Sequence, residues 1–155
     1  MNPPNKMLTA ALDYAARGWL VLPLHSIRAD GCCTCGKSDC TSPGKHPRTL
    51  HGLKNATTEV EQVHRWWAQW PDANIGIATG DASGLVVVDL DGSIGKENFL
   101  ELLLPHGFEL DTLMSHTGGG GYHWLFEHPG VPIKNSTGAL GVGIDSKCKS
   151  ARYGR

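Results

Sequence analysis

Leu85-Val-Val-Val-Asp-Leu-Asp-Gly92 is the stretch on which the fold of this chain turns. Side chains alternate along a strand, so residues two apart share a face. The segment therefore starts in a core as an apolar strand, Leu85 to Leu90, and delivers the carboxylates of Asp89 and Asp91 side by side at its exit. Carboxylates so close repel each other, and a shared divalent cation relieves the repulsion. Mg²⁺ and Mn²⁺ suit oxygen ligands and keep positions open for water and phosphate. The plainer alternative is a polar strand exit before a turn.

The same design recurs where Val142-Gly-Ile144 leads into Asp145, read as a last short strand over 141–145. Three acids on neighbouring strand ends would build a two-metal site for nucleotidyl transfer. One ion lowers the pKa of the attacking hydroxyl, and the other holds the triphosphate and the leaving pyrophosphate. Between the acids lies a predicted hairpin, 113–117 and 122–126, around Gly118-Gly-Gly-Gly121. Alternation puts Tyr122, Trp124 and Phe126 on one face, and His123 and Leu125 on the other. Backbone amides at Gly120 and Gly121 could approach an anion closely, and His123 could donate to a triphosphate oxygen. A flexible tip and a half-buried histidine are the alternatives.

Further out, Ile75–Ala78 reads as a strand, and Lys96 to Leu104 as a helix closed by Pro105. Upstream, Met7 to Arg17 is a helix with Leu8, Ala11, Leu12 and Ala15 on one face, followed by a strand, 19–22, ended by Pro23. Thr58-Glu-Val-Glu61 has the capping-box pattern and opens a helix through Trp70. Its stripe of Val60, Val63, Trp66, Trp67 and Trp70 is read as core packing in preference to base stacking. The order predicts an α+β fold, a mostly antiparallel sheet flanked by helices.

Residues 27–53 have almost no apolar periodicity and hold four of the five cysteines. Cys33, Cys35, Cys40 and His46 make a Cys₃His set suited to tetrahedral Zn²⁺, and four protein ligands argue for a structural site. Whether Cys32 replaces Cys33 is open at this level. The spacing is not that of the common zinc fingers, so the reading rests on clustering. Such crowding is metal chemistry, not a secreted disulfide framework.

At 155 residues the chain fits one domain, and its 40% hydrophobic and 19% charged composition is that of a globular protein. A net charge of −1 excludes any argument for nucleic-acid binding from a global basic field. Local basic runs exist at Lys37, Lys45, His46, Arg48 and Lys54, and at Lys147, Lys149, Arg152 and Arg155. No apolar run is long enough for a signal peptide or a membrane span, so a cytoplasmic location is expected.

Taken in order, these pieces resemble the bifunctional primase-polymerase (Prim-Pol) domain of the archaeo-eukaryotic primase superfamily. The resemblance runs through Arg17-Gly-Trp-Leu-Val-Leu-Pro-Leu24, Cys33-Thr-Cys35, Cys40, Gly44-Lys-His-Pro47, Trp66-Trp67, Ala73 to Gly80, Ser83 to Gly92, the hairpin and Gly143-Ile-Asp145. It implies that Asp89, Asp91 and Asp145 hold the catalytic Mg²⁺ or Mn²⁺ and that His123 binds nucleotide. It also implies primer synthesis and extension from nucleoside triphosphates on a single-stranded DNA template, in phage or plasmid-type replication. Lys147 could stand in for the family's basic residue after the third acid, and it is expected to bind nucleotide together with His123, Gly120 and Gly121. Family members often carry a helicase, which makes a replicative helicase an expected partner. The expected domain is residues 1–155, with 27–53 as the zinc-binding insertion. After Asp145 the family adds a glycine-rich turn and a further strand. Their absence here predicts a C-terminally truncated domain with an unpaired sheet edge beside Asp145 and poor activity. Two other functions compete: a non-catalytic, zinc-stapled single-stranded DNA-binding module and a metal-dependent nuclease. The glycine hairpin argues against the nuclease.

Overall fold

A computed structural model of the chain describes residues 5–108, 110–148 and 151–152. Two compact units form, one running to Ala78 and rejoined by Arg152, the other spanning Thr79–Ala151. No shift in composition marks the boundary between them. Both units are α+β. The strand pairs whose register is described all run antiparallel.

The first unit contains α1 (Lys6–Ala16), β1 (Leu20–Leu24), α2 (Val60–Gln69) and β2 (Asn74–Ala78). The Asn5 side chain caps α1 by accepting from the Met7 and Leu8 amides, and Ala11 and Ala15 are buried. β1 does not end at Pro23 but runs through it. Proline removes a backbone donor, which an edge strand tolerates, and here the Pro23 carbonyl still accepts the Arg48 amide at 2.9 Å. α2 opens one residue later than a capping box on Thr58 requires. Its N-cap is Glu59, whose side chain makes no capping bond, and Thr57 Oγ1 accepts the Glu59 amide instead. Val63, Trp66 and Trp67 are buried as core, while Val60 is 56% exposed and leaves the apolar stripe.

The second unit orders β3 (Leu85–Leu90), α3 (Gly92–Leu103), β4 (Met114–His116), β5 (Tyr122–Glu127), β6 (Ser136–Thr137) and β7 (Ile144–Lys147). Its sheet runs β4-β5-β3-β7-β6, and in the first unit β1 pairs with β2. Val88, Leu90, Phe99, Trp124 and Ile144 form the core between α3 and one sheet face, where Phe99 meets Trp124 edge-on at 5.3 Å.

Three expectations change here. α3 starts at Gly92, not Lys96, because Asp91 is still extended and its carbonyl accepts the Gly95 amide; two glycines of low helix propensity hid this turn. The last strand is displaced to Ile144–Lys147, so Asp145 lies inside it instead of at its end. Finally, β7 is not an unpaired edge. β6 pairs with it, and Ser136 Oγ and Ser146 Oγ share a hydrogen bond of 2.9 Å across the two strands. Of the basic C-terminal run, Lys149, Arg155 and the Arg152 side chain lie outside the described residues. Among the described residues no helix is long and apolar enough to cross a membrane.

The first turn of α3 lies against the turn before β7: Asp91 N–H donates to the Gly143 carbonyl, and a Cβ on Gly95 would run into that same oxygen. Alanine normally favours a helix over glycine by about 0.5–1 kcal/mol, but overlap with backbone that cannot swing aside outweighs that gain. Gly95→Ala should therefore lose about 2–4 kcal/mol in a urea titration, while Ser93→Ala, exposed in the same turn, should stay within about 0.5 kcal/mol of the parent.

Candidate functional site

In the second unit, the register of three strands assembles the acidic site. Asp89 on β3 is paired with His123 on β5 and with Asp145 on β7. Directly paired residues share a face of the sheet, so the three side chains form a row. Ser115 on β4 and Thr137 on β6 extend it to both edges. The row lies on the face opposite Val88, Leu90 and Trp124, as alternation requires. His123 Nε2 is 3.2 Å from Asp89 Oδ1. The Asp145 carboxylate accepts the Gly138 amide at 3.0 Å and the Lys147 ammonium at 2.9 Å, and Lys147 Nζ also lies 4.0 Å from Asp89 Oδ2.

Asp91 takes a different position. Its amide bond to Gly143 continues the β3–β7 register one step beyond the strand, and its side chain is exposed without capping α3. Among the described residues it does not gather with Asp89 and Asp145 as tightly as the cysteine cluster gathers. His123 is 8% exposed, more deeply set than a histidine on an open groove wall.

The hairpin tip is a tight turn with its own internal bonds. Gly121 N–H donates to Thr117 Oγ1 and Gly120 N–H to the Thr117 carbonyl. A Cβ on Gly121 would come within 2.5 Å of the Leu90 carbonyl oxygen, whereas at Gly118 and Gly119 it would meet nothing. The glycine at 121 is thus required by close approach to β3. The amides expected to cradle phosphate, those of Gly120 and Gly121, are committed inside the turn.

The other site belongs to the first unit. Residues 25–47 fold back on the end of β1: His25 N–H donates to the His46 carbonyl, Thr34 N–H to the Ser26 carbonyl, and Arg48 Nη2 to Thr34 Oγ1. This brings the ligand atoms of Cys33, Cys35, Cys40 and His46 within 4.8 Å of one another. His46 Nε2 is 3.5 Å from both Cys33 Sγ and Cys40 Sγ. A tetrahedral zinc with ordinary Zn–S and Zn–N lengths has an S···N edge of about 3.5–3.6 Å, so the set could hold such an ion. Burial pushes the Cys33 thiol up, but N–H donation from Gly44 and Cys35, with further help from the Cys35 thiol and His46, brings it down to about 6. A thiolate, the form that binds metal, is therefore accessible at neutral pH. Burial, with Arg48 and His46 alongside, lowers His25 to about 4, so its ring packs on His46 as a neutral group. Cys32 is exposed and lies outside the set.

Sequence reasoning missed Ser115 and Thr137 in the row, and the contact of Lys147 with both acids. Only the last had a signal, its two-residue spacing from Asp145. Cys32→Ser should leave one metal ion per chain by elemental analysis, and Cys40→Ser should lose it.

Residues 11–153 match the family described as bifunctional DNA primase/polymerase, N-terminal (Prim-Pol). No curated protein matches the chain.

Proposed function

The chain belongs to the Prim-Pol family of bifunctional DNA primase/polymerase N-terminal domains, and on that premise we propose that it joins nucleotides on a single-stranded DNA template through the row on β3, β5 and β7. Family membership carries a primase/polymerase-type function in replication. The observation that supports the specific assignment is the pairing of Asp89 with Asp145 on one side and His123 on the other.

The acids fit Mg²⁺ or Mn²⁺. The Lys147 ammonium lies 2.9 Å from Asp145 Oδ2 and 4.0 Å from Asp89 Oδ2, which supports a reading with a cation near both carboxylates. Asp91, exposed one step past the end of β3, would have to turn toward the row to add a third oxygen ligand. A divalent ion bound there would activate the primer hydroxyl and offset charge on the triphosphate. The protein's part is to hold Asp89 in place, through strand pairing on both sides and the bond to His123. A triphosphate whose ion rests on Asp89 would bring its oxygens beside the His123 imidazole. In the first unit, we assign Zn²⁺ to Cys33, Cys35, Cys40 and His46 as a structural staple.

Primer synthesis with labelled nucleotides on single-stranded DNA, with Mg²⁺ or Mn²⁺, tests this reading. Asp89→Asn should reduce synthesis to background with an unchanged circular dichroism spectrum. Degradation of labelled DNA without any extension would overturn the assignment in favour of a nuclease. His123→Ala should raise the KM for nucleotide, as expected for a lost phosphate contact; a fall in kcat at constant KM would assign His123 to orienting Asp89 alone.

A further inference from the structure

An ammonium group already stands among the acids. Lys147 follows Asp145 by two residues and pairs with Val87, which precedes Asp89 by two, so Lys147 shares the face of both carboxylates. Its Nζ reaches back to 2.9 Å from Asp145 Oδ2 and 4.0 Å from Asp89 Oδ2. All three side chains are partly screened from water: 27% exposed for Lys147, 25% for Asp89 and 18% for Asp145. Like charges directly opposite each other on paired strands destabilise the sheet, and here a lysine lies where it offsets that repulsion. Among the described residues, His123 also faces Asp89, and the Gly138 amide faces Asp145.

We propose that Lys147 is an internal counter-cation that holds Asp89 and Asp145 together for a divalent ion and competes with that ion for them. This rests on the assignment of Asp89 and Asp145 as metal ligands. A divalent ion entering between the carboxylates meets the charge of Nζ and must displace it. The flexible four-carbon stem of lysine permits the displacement. A nucleotide then changes the balance, because its phosphate oxygens give the displaced ammonium a new partner. Metal and nucleotide therefore bind with positive coupling, and by linkage each raises the affinity of the other by the same factor. Lys147 acts as a positioning residue: it keeps the acids poised and makes tight ion binding conditional on a triphosphate.

The test is Mn²⁺ binding to the full, zinc-saturated chain, read by the loss of the free-ion electron paramagnetic resonance signal, with and without a non-hydrolysable nucleoside triphosphate. Without nucleotide, Lys147→Met should bind Mn²⁺ at least about tenfold more tightly than the parent, because a repelling charge is removed at contact range. The gain in Mn²⁺ affinity that nucleotide produces should shrink in the same variant. A lysine that serves only to support the fold would show the opposite sign, with weaker Mn²⁺ binding after its removal, and that result overturns the proposal. Asp89→Asn separates the two layers of the argument. If it abolishes Mn²⁺ binding while Lys147→Met binds like the parent, the acids hold the ion and the counter-cation idea fails. If Asp89→Asn leaves Mn²⁺ binding unchanged, the metal assignment fails and takes the proposal with it. A measurement on the unmutated chain guards against a misfolded variant. Acylation of the Lys147 amine, followed by mass spectrometry, should accelerate when Mn²⁺ is added, and an unchanged rate counts against displacement.

Discussion

Everything at the acidic site depends on β3 having one face packed under α3, while the opposite face, buried at Leu85 and Val87, opens only at its exit end at Asp89. Val88 and Leu90 lie under α3 with Trp124 and Ile144, closed by the edge-on contact of Phe99 with Trp124. A strand whose even-numbered residues are buried this way must present its odd-numbered residues to the opposite face. Asp89 therefore cannot turn into the core without moving every apolar neighbour out of it. Burial of hydrocarbon on one side thus holds a carboxylate on the other.

The same constraint selects the partners of Asp89. A slip of one residue in either neighbouring strand would invert that strand's faces and bury His123 or Asp145 against Phe99. Two close backbone approaches make such a slip harder. Gly121 lies on the Leu90 carbonyl at the top of the β3–β5 pair, and Gly95 lies on the Gly143 carbonyl at the start of the β3–β7 pair. Each admits no side chain, and each fixes where a partner strand begins. Glycine in this unit acts as a register pin at these two positions, while Gly118 and Gly119 remain open.

Charge is handled differently in the two units. Around Asp89 and Asp145 the repulsion is met by the Lys147 ammonium, which sits on a flexible stem and which a competing cation could displace. At the cysteine cluster, thiolate character at Cys33 is supported by backbone N–H donors, which cannot leave. A replaceable partner suits a site whose ion and substrate exchange, and a fixed one suits a staple. Loop 25–47 is tied to β1 by backbone bonds of its own, so a metal there would lock a fold-back that the chain already makes.

The sequence by itself determined the family, the α+β class and the strand at Leu85–Leu90, and it marked the cysteine cluster while leaving Cys32 and Cys33 as alternatives, because each is written in local pattern. Apolar alternation, helical spacing and crowded cysteines act over a few residues, and the chain need not be folded to display them. It also contained the two-residue spacings of Asp89 with Asp91 and of Asp145 with Lys147, without saying which members would meet. Tertiary structure decided that Asp89 pairs with Asp145 and His123, that Asp91 stays exposed at the strand exit, and that Lys147 reaches both paired acids. It also decided that β7 continues through Ser146 and Lys147 and is flanked by β6. Polar residues carry no periodic signal for a strand, and a two-residue strand such as Ser136–Thr137 exists only because β7 supplies its hydrogen bonds. Register joins residues that loops of many residues separate, and its energy comes from packing and pairing that no local window contains.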